Sequence, residues 1–160
     1  MKQISPEQYF LKYSFPCSYT LVEMGQIDEK KFEELKENTL KNKAMDRDEL
    51  MRIYPAAFRR IKEVAEQMNK NIWDLDVIRK YFLEEHNKYI DAKDGNYKKF
   101  PQSFRDFCKV YKGKVIYKEK NMLTVQYGEK QRNVLSELLP NAKVGDTVTI
   151  HQGFAVEKLE

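Results

Sequence analysis

Four side chains in this sequence have the chemistry to ligate a metal or attack an electrophile near neutral pH: Cys17, His86, Cys108 and His151. The two cysteines are far apart and form no C-x-x-C pair, so neither a cysteine-built zinc site nor a disulfide framework is indicated. Cys17 follows Pro16 among Phe15, Tyr19 and Leu21, the setting of a core thiol; the other reading, a second ligand facing Cys108, is not required by the spacing. His86 stands beside Glu84 and Glu85 without an H-E-x-x-H or E-x-x-H spacing, and reads as part of a solvated helix face. Cys108 supports two readings. As a soft thiolate it would suit a transition metal, with Lys109, Lys112 and Lys114 close behind to favour the charged form. As a small hydrophobe it would pack behind Phe104 and Phe107. His151 continues the Thr147–Thr149 face of its strand rather than the Val148–Ile150 face, so it is expected to point away from the main core. There it would ligate a metal or orient the cysteine, or be a hydrogen-bonded turn residue ahead of Gly153.

Other chemistries find less support. The sequence contains no Gly-rich phosphate loop, no G-x-S-x-G elbow and no paired carboxylates. An enzyme would need Cys108 as nucleophile and His151 as base, with no third group to orient them, so a non-catalytic binding protein is expected. Lysines between Lys109 and Arg132, interleaved with Tyr111, Tyr117 and Tyr127, raise the alternative of a nucleic-acid-binding OB-like module with a helical adaptor. However, the tyrosines share a face with Val115, Leu123 and Val125 and read as core, which leaves the lysines as a solvated or docking face.

These residues must be positioned by two halves of different period. Across 160 residues, 41% are hydrophobic and 34% charged, enough apolar content for a packed core. The net charge of +4 permits an acidic partner without demanding nucleic acid. No apolar run approaches the length of a membrane span, and Met1 to Pro6 lacks a signal-peptide pattern, so a cytoplasmic protein is expected. Ser5-Pro6-Glu7-Gln8 forms a capping box, Pro16 interrupts the helix that follows, and a second segment runs on to Gly25. Asp28 and Asp46 have the pattern of N-caps for two more helices, and Pro55 marks a kink or a fresh start. Phe58, Ile61, Val64, Ala65 and Met68 trace one helical face, and Leu75, Ile78, Phe82 and Tyr89 another. Residues 91–100 are polar and turn-rich. From about Cys108 the period becomes two, in segments that hold Val115, then Leu123 and Val125, then Val148 and Ile150, with turns at Gly128 and Gly145-Asp146. The expected fold is α+β: a helical domain over residues 1–100, then a small OB-like β-barrel over 101–160.

Four stretches of the C-terminal third, Cys108 to Val115, Asn121 to Gly128, Asn133 to Pro140 and Val144 to Ala155, together resemble the HypC/HupF family of hydrogenase-maturation chaperones. Cys108-Lys109-Val110-Tyr111-Lys112-Gly113-Lys114-Val115 keeps the family's cysteine, its glycine and the distance between them, with Lys112 in place of a proline. Asn121 to Gly128 is similar to the second strand, and Asn133 to Pro140 to the next element. The most specific stretch is Val144-Gly145-Asp146 followed by His151-Gln152-Gly153-Phe154-Ala155. The resemblance implies a metallochaperone that transiently binds iron, carried as a cyanide- and carbonyl-bearing fragment. It implies Cys108 and His151 as metal-binding residues, with a HypD-like maturation protein or a hydrogenase large subunit as partner. Lys109, Lys112, Gly113, Lys114, Gly153, Phe154 and Ala155 would form the partner-binding surface. In the family the cysteine is N-terminal, whereas Cys108 is internal.

Overall fold

Helix-capping residues organise the N-terminal part of the protein, whose computed structural model describes residues 3–160. Ser5 Oγ accepts from Gln8 N and Gln8 Oε1 accepts from Ser5 N, so the capping box starts α1 (Pro6–Ser14) as expected. A 3₁₀ turn, Phe15–Cys17, absorbs Pro16 and leads into α2 (Ser18–Glu23). Asp28 caps α3 (Glu29–Leu40) and Asp46 caps α4 (Arg47–Ile53), each through a carboxylate bonded to the backbone N–H three residues on. Pro55 proves to be a fresh start, the first residue of α5 (Pro55–Met68), which ends at Asn69 with φ +54.

The long stripe after Asp74 is broken into α6 (Leu75–Lys80), a π-turn over Tyr81–Glu85, and α7 (His86–Asp91). His86 corrects the sequence reading. It follows Phe82 by one helical repeat, so the face that buries Phe82 carries it inward to 3% exposure. Its ring lies edge-on to Tyr81 at 5.7 Å between centroids. Around Phe10, fully buried on α1, the rings of Tyr54, Phe58, Trp73 and Phe82 form an aromatic core. Cys17 is half-buried rather than a core thiol, although Phe15 and Ser18 on either side are buried.

The chain divides into two compact units, Met1–Pro101 and Gln102–Glu160. The second opens on α8 (Gln102–Cys108), so the cysteine ends a helix rather than beginning a strand. Phe104 and Phe107, spaced at the helical repeat, were the signal for it. The strands β1 (Val110–Glu119), β2 (Met122–Tyr127), β3 (Lys130–Leu135), β4 (Thr147–His151) and β5 (Phe154–Leu159) close into a barrel in the order β1-β2-β3-β5-β4. The α+β architecture read from the sequence is therefore observed. Val115, Leu123, Val125, Val134, Val148 and Ile150 fill the interior, with Tyr111 and Tyr127 packed against them.

One bulge decides which residues of β1 face inward. Val115 pairs with Val125, but Tyr117 pairs with Thr124, leaving Ile116 as the extra residue. Beyond it the alternation flips. Tyr117, read from the sequence as core, is 56% exposed, and Lys118 now pairs with buried Leu123. Its Nζ donates to the carbonyls of Pro140 at 3.1 Å and Ala142 at 2.6 Å. Lys118 thus holds the long β3–β4 connection against the barrel rather than extending the basic face of Lys112 and Lys114.

Candidate functional site

Cys108 and the turn after His151 come together because β1 and β4 pair antiparallel. Val110 lies opposite His151, which places the β4–β5 turn, Gln152-Gly153, beside the end of α8. Gln152 adopts φ +52, a left-handed conformation that costs a non-glycine residue of order 1 kcal/mol or more and persists only where neighbours hold it. Here two neighbours do. Its side-chain Nε2 donates to Cys108 Sγ at 3.7 Å, and its carbonyl accepts from Arg132 Nη1 at 3.1 Å.

Arg132, in the sequence only the end of a basic stretch, has a place at this site that sequence reasoning missed. It projects from β3, half-buried, with its guanidinium carbon 5.0 Å from the ring centre of Phe107, 5.2 Å from Tyr127 and 5.6 Å from Tyr111. Tyr111 and Tyr127 stack on each other at 4.7 Å. A lone arginine in a polar strand carries no local pattern; the aromatic residues at 107, 111 and 127 were legible, but their convergence on position 132 is a product of barrel closure. Their occupation by Arg132 also removes two tyrosines from any base-stacking platform.

The thiol is not prepared as the sequence suggested. Cys108 is only 3% exposed, and burial pushes its pKa up to about 11 against the pull of the Gln152 hydrogen bond and the Arg132 charge. The following lysines do not activate it; the cation beside it is Arg132. Because the folded thiol holds its proton more tightly than the unfolded one, this proton stabilises the fold fully below the ordinary cysteine pKa near 9, and the contribution disappears as pH rises through about 11. In a Cys17→Ser background, alkylation of Cys108 by iodoacetamide at pH 8 is expected to run about a hundredfold slower than for a thiol of ordinary pKa. The rate should climb about tenfold per pH unit until near 11; a plateau already at pH 9 would show that burial does not hold the proton.

His151 also departs from expectation. It is completely buried, and so is Thr149, because both faces of β4 are covered after Thr147. Gln152, not the imidazole, is the hydrogen-bond partner of the thiol. The backbone still brings His151 to the same corner of the barrel as Cys108, through its pairing with Val110.

Residues 108–160 match the HupF/HypC family model. The match spans the barrel strands and begins at the buried thiol itself. No curated protein matches the chain. Of the positions that the resemblance assigns to a partner surface, Lys112 and Lys114 are exposed, and Lys109 and Gly153 partly so. Gly113, Phe154 and Ala155 are buried, so they act through packing rather than through side-chain contact with a partner. A β-carbon on Gly113 would stand 2.6 Å from the Gln126 carbonyl oxygen. Among the described residues no group of three or more His, Cys, Asp or Glu is arranged to hold a metal ion, and no helix is long and apolar enough to cross a membrane.

Proposed function

We propose that this chain is an assembly protein of the [NiFe]-hydrogenase maturation kind, a non-catalytic carrier whose barrel takes an iron fragment on the sulfur of Cys108. The observation that carries the reading is the HupF/HypC match beginning at Cys108, a thiol held by the turn of the His-x-Gly-Phe-Ala signature. Low-spin ferrous iron bearing cyanide and carbonyl is a soft acceptor that needs only one or two protein ligands, and a thiolate supplies the first. His151 is the second ligand or the group that orients the first. Loading displaces the thiol proton and requires Gln152 to release Sγ. The exposed Lys112 and Lys114 offer a basic docking face for a HypD-like maturation protein or a hydrogenase large subunit.

Infrared spectroscopy of anaerobically isolated protein, co-expressed with maturation proteins, tests this directly. Wild-type protein is expected to show cyanide and carbonyl stretches, and Cys108→Ala to lose them. Bands that persist in Cys108→Ala, or a wild-type protein without bands, would overturn the carrier reading.

A further inference from the structure

The surroundings of Arg132 are those of a ligand-binding cation rather than of a structural one. Three elements converge on it from around β3, which carries it: Phe107 comes from α8, Tyr111 from β1 and Tyr127 from β2. Three aromatic faces hold the guanidinium in place and offset part of its lost hydration, but a ring face accepts no N–H in the manner of an oxygen or nitrogen lone pair. Of its five N–H donors, Nη1 alone has a hydrogen-bond acceptor among the described residues, the Gln152 carbonyl at 3.1 Å. No carboxylate among the described residues forms an ion pair with it. Arg60, in the helical unit and also packed against tyrosine rings, differs in this respect: it pairs through Nε with Asp94 at 2.7 Å. A guanidinium stays charged at any pH the protein will meet, so Arg132 presents an uncompensated positive charge and a planar set of donors. The same Gln152 that binds it also touches Cys108 Sγ, which puts that charge at the thiol.

We propose that Arg132 is the anion-binding residue of the site, gripping the acceptor rim of a negatively charged metal fragment while the sulfur of Cys108 takes the metal. The acceptors it suits are the nitrogens of metal-bound cyanide, which lie at the outer edge of such a fragment and accept charge-assisted hydrogen bonds. The assignment rests on the carrier reading for the identity of the cargo, but not for the binding chemistry itself. Arg132 thereby selects cargo by charge, and a cationic or neutral metal complex is disfavoured at the same thiol.

Hexacyanoferrate(II) is the probe that isolates this role. Its iron exchanges ligands too slowly for Cys108 to displace one, so only the cyanide rim is read. Isothermal titration at about 0.15 M salt screens the exposed lysines, whose reach is then about 8 Å. Wild-type protein is expected to bind the probe, and Arg132→Gln to bind it at least about tenfold more weakly. Arg132→Met, which fills the space between the rings without charge, serves should the glutamine variant not fold. Binding unchanged in the folded variant, or absent in wild type, would overturn the proposal. Weak probe binding by Arg132→Gln, together with infrared bands that survive in Cys108→Ala, would retain the anion site and remove the thiol carrier. The opposite pair of results would retain the carrier and remove the anion site.

Discussion

Substituting Gly113 is expected to unfold or severely weaken the barrel. Gly113 lies in β1, paired with Val148 of β4, at a point where β2 passes very close. A β-carbon there would stand 2.6 Å from both the Gln126 carbonyl oxygen and Val125 Cγ1. The first obstacle is backbone, held in the ladder by its neighbours, so it has no rotamer into which to retreat. Overpacking of this kind costs about 1–3 kcal/mol and sometimes more. Gly113→Ala is expected at about 2 kcal/mol and Gly113→Val above it. A barrel of this size buries too little surface to absorb such a loss easily. Thermal unfolding followed by circular dichroism checks it. An alanine variant that melts within a degree of wild type would mean that β1 and β2 separate at little cost. Exposed Lys112→Ala, one residue away, should change stability by no more than about 0.5 kcal/mol.

The second large effect is expected in the helical unit. Phe10 is fully buried, with its ring 4.4 Å from Phe58, 5.4 Å from Tyr54, 5.8 Å from Phe82 and 6.3 Å from Trp73, centre to centre. Those four partners come from three stretches of chain, the start of α5 and the segments at Trp73 and Phe82, so no single one can shift to fill the space that a truncated side chain leaves. Phe10→Ala is expected to destabilise this unit by about 4 kcal/mol, from lost burial together with the residual cavity. Urea unfolding read by Trp73 fluorescence measures it, since the indole adjoins the cavity. A midpoint shift worth less than about 1 kcal/mol would show that the cluster collapses around the gap.

Much of the framework was legible because it is local. The capping serine and aspartates, the proline starting α5, and the alternation of Leu123 and Val125 each depend on residues a few positions apart. The HupF/HypC match of the C-terminal third was legible for a different reason, because the Val-Gly-Asp and His-x-Gly-Phe-Ala spacings are distinctive. What escaped depends on one misplaced residue or on distant pairing. Ile116 as a bulge inverts the faces of Tyr117 and Lys118, and no two-residue rhythm reveals it. The same rhythm put His151 outward, yet β4 is covered on both sides. Arg132 and Gln152 are far from Cys108 in sequence and meet it only once the sheet has closed. The thiol's environment was misjudged accordingly: its adjacent lysines are near in sequence, whereas the burial that governs its proton is tertiary.

The barrel's strand order ends on a weak seam. β3 and β5 join through a single parallel pairing, Leu135 with Phe154, supported by Leu135 N donating to the Gly153 carbonyl at 2.8 Å. Every other join in the cylinder is a multi-residue antiparallel ladder. Local opening of a fold is cheapest where the fewest backbone bonds must break. The Arg132–Gln152 bond bridges that same seam, so parting it unlatches the sulfur and frees the guanidinium in one movement. A shut cylinder with one loosely stitched side therefore gives a sequestered thiol its cheapest route to solvent.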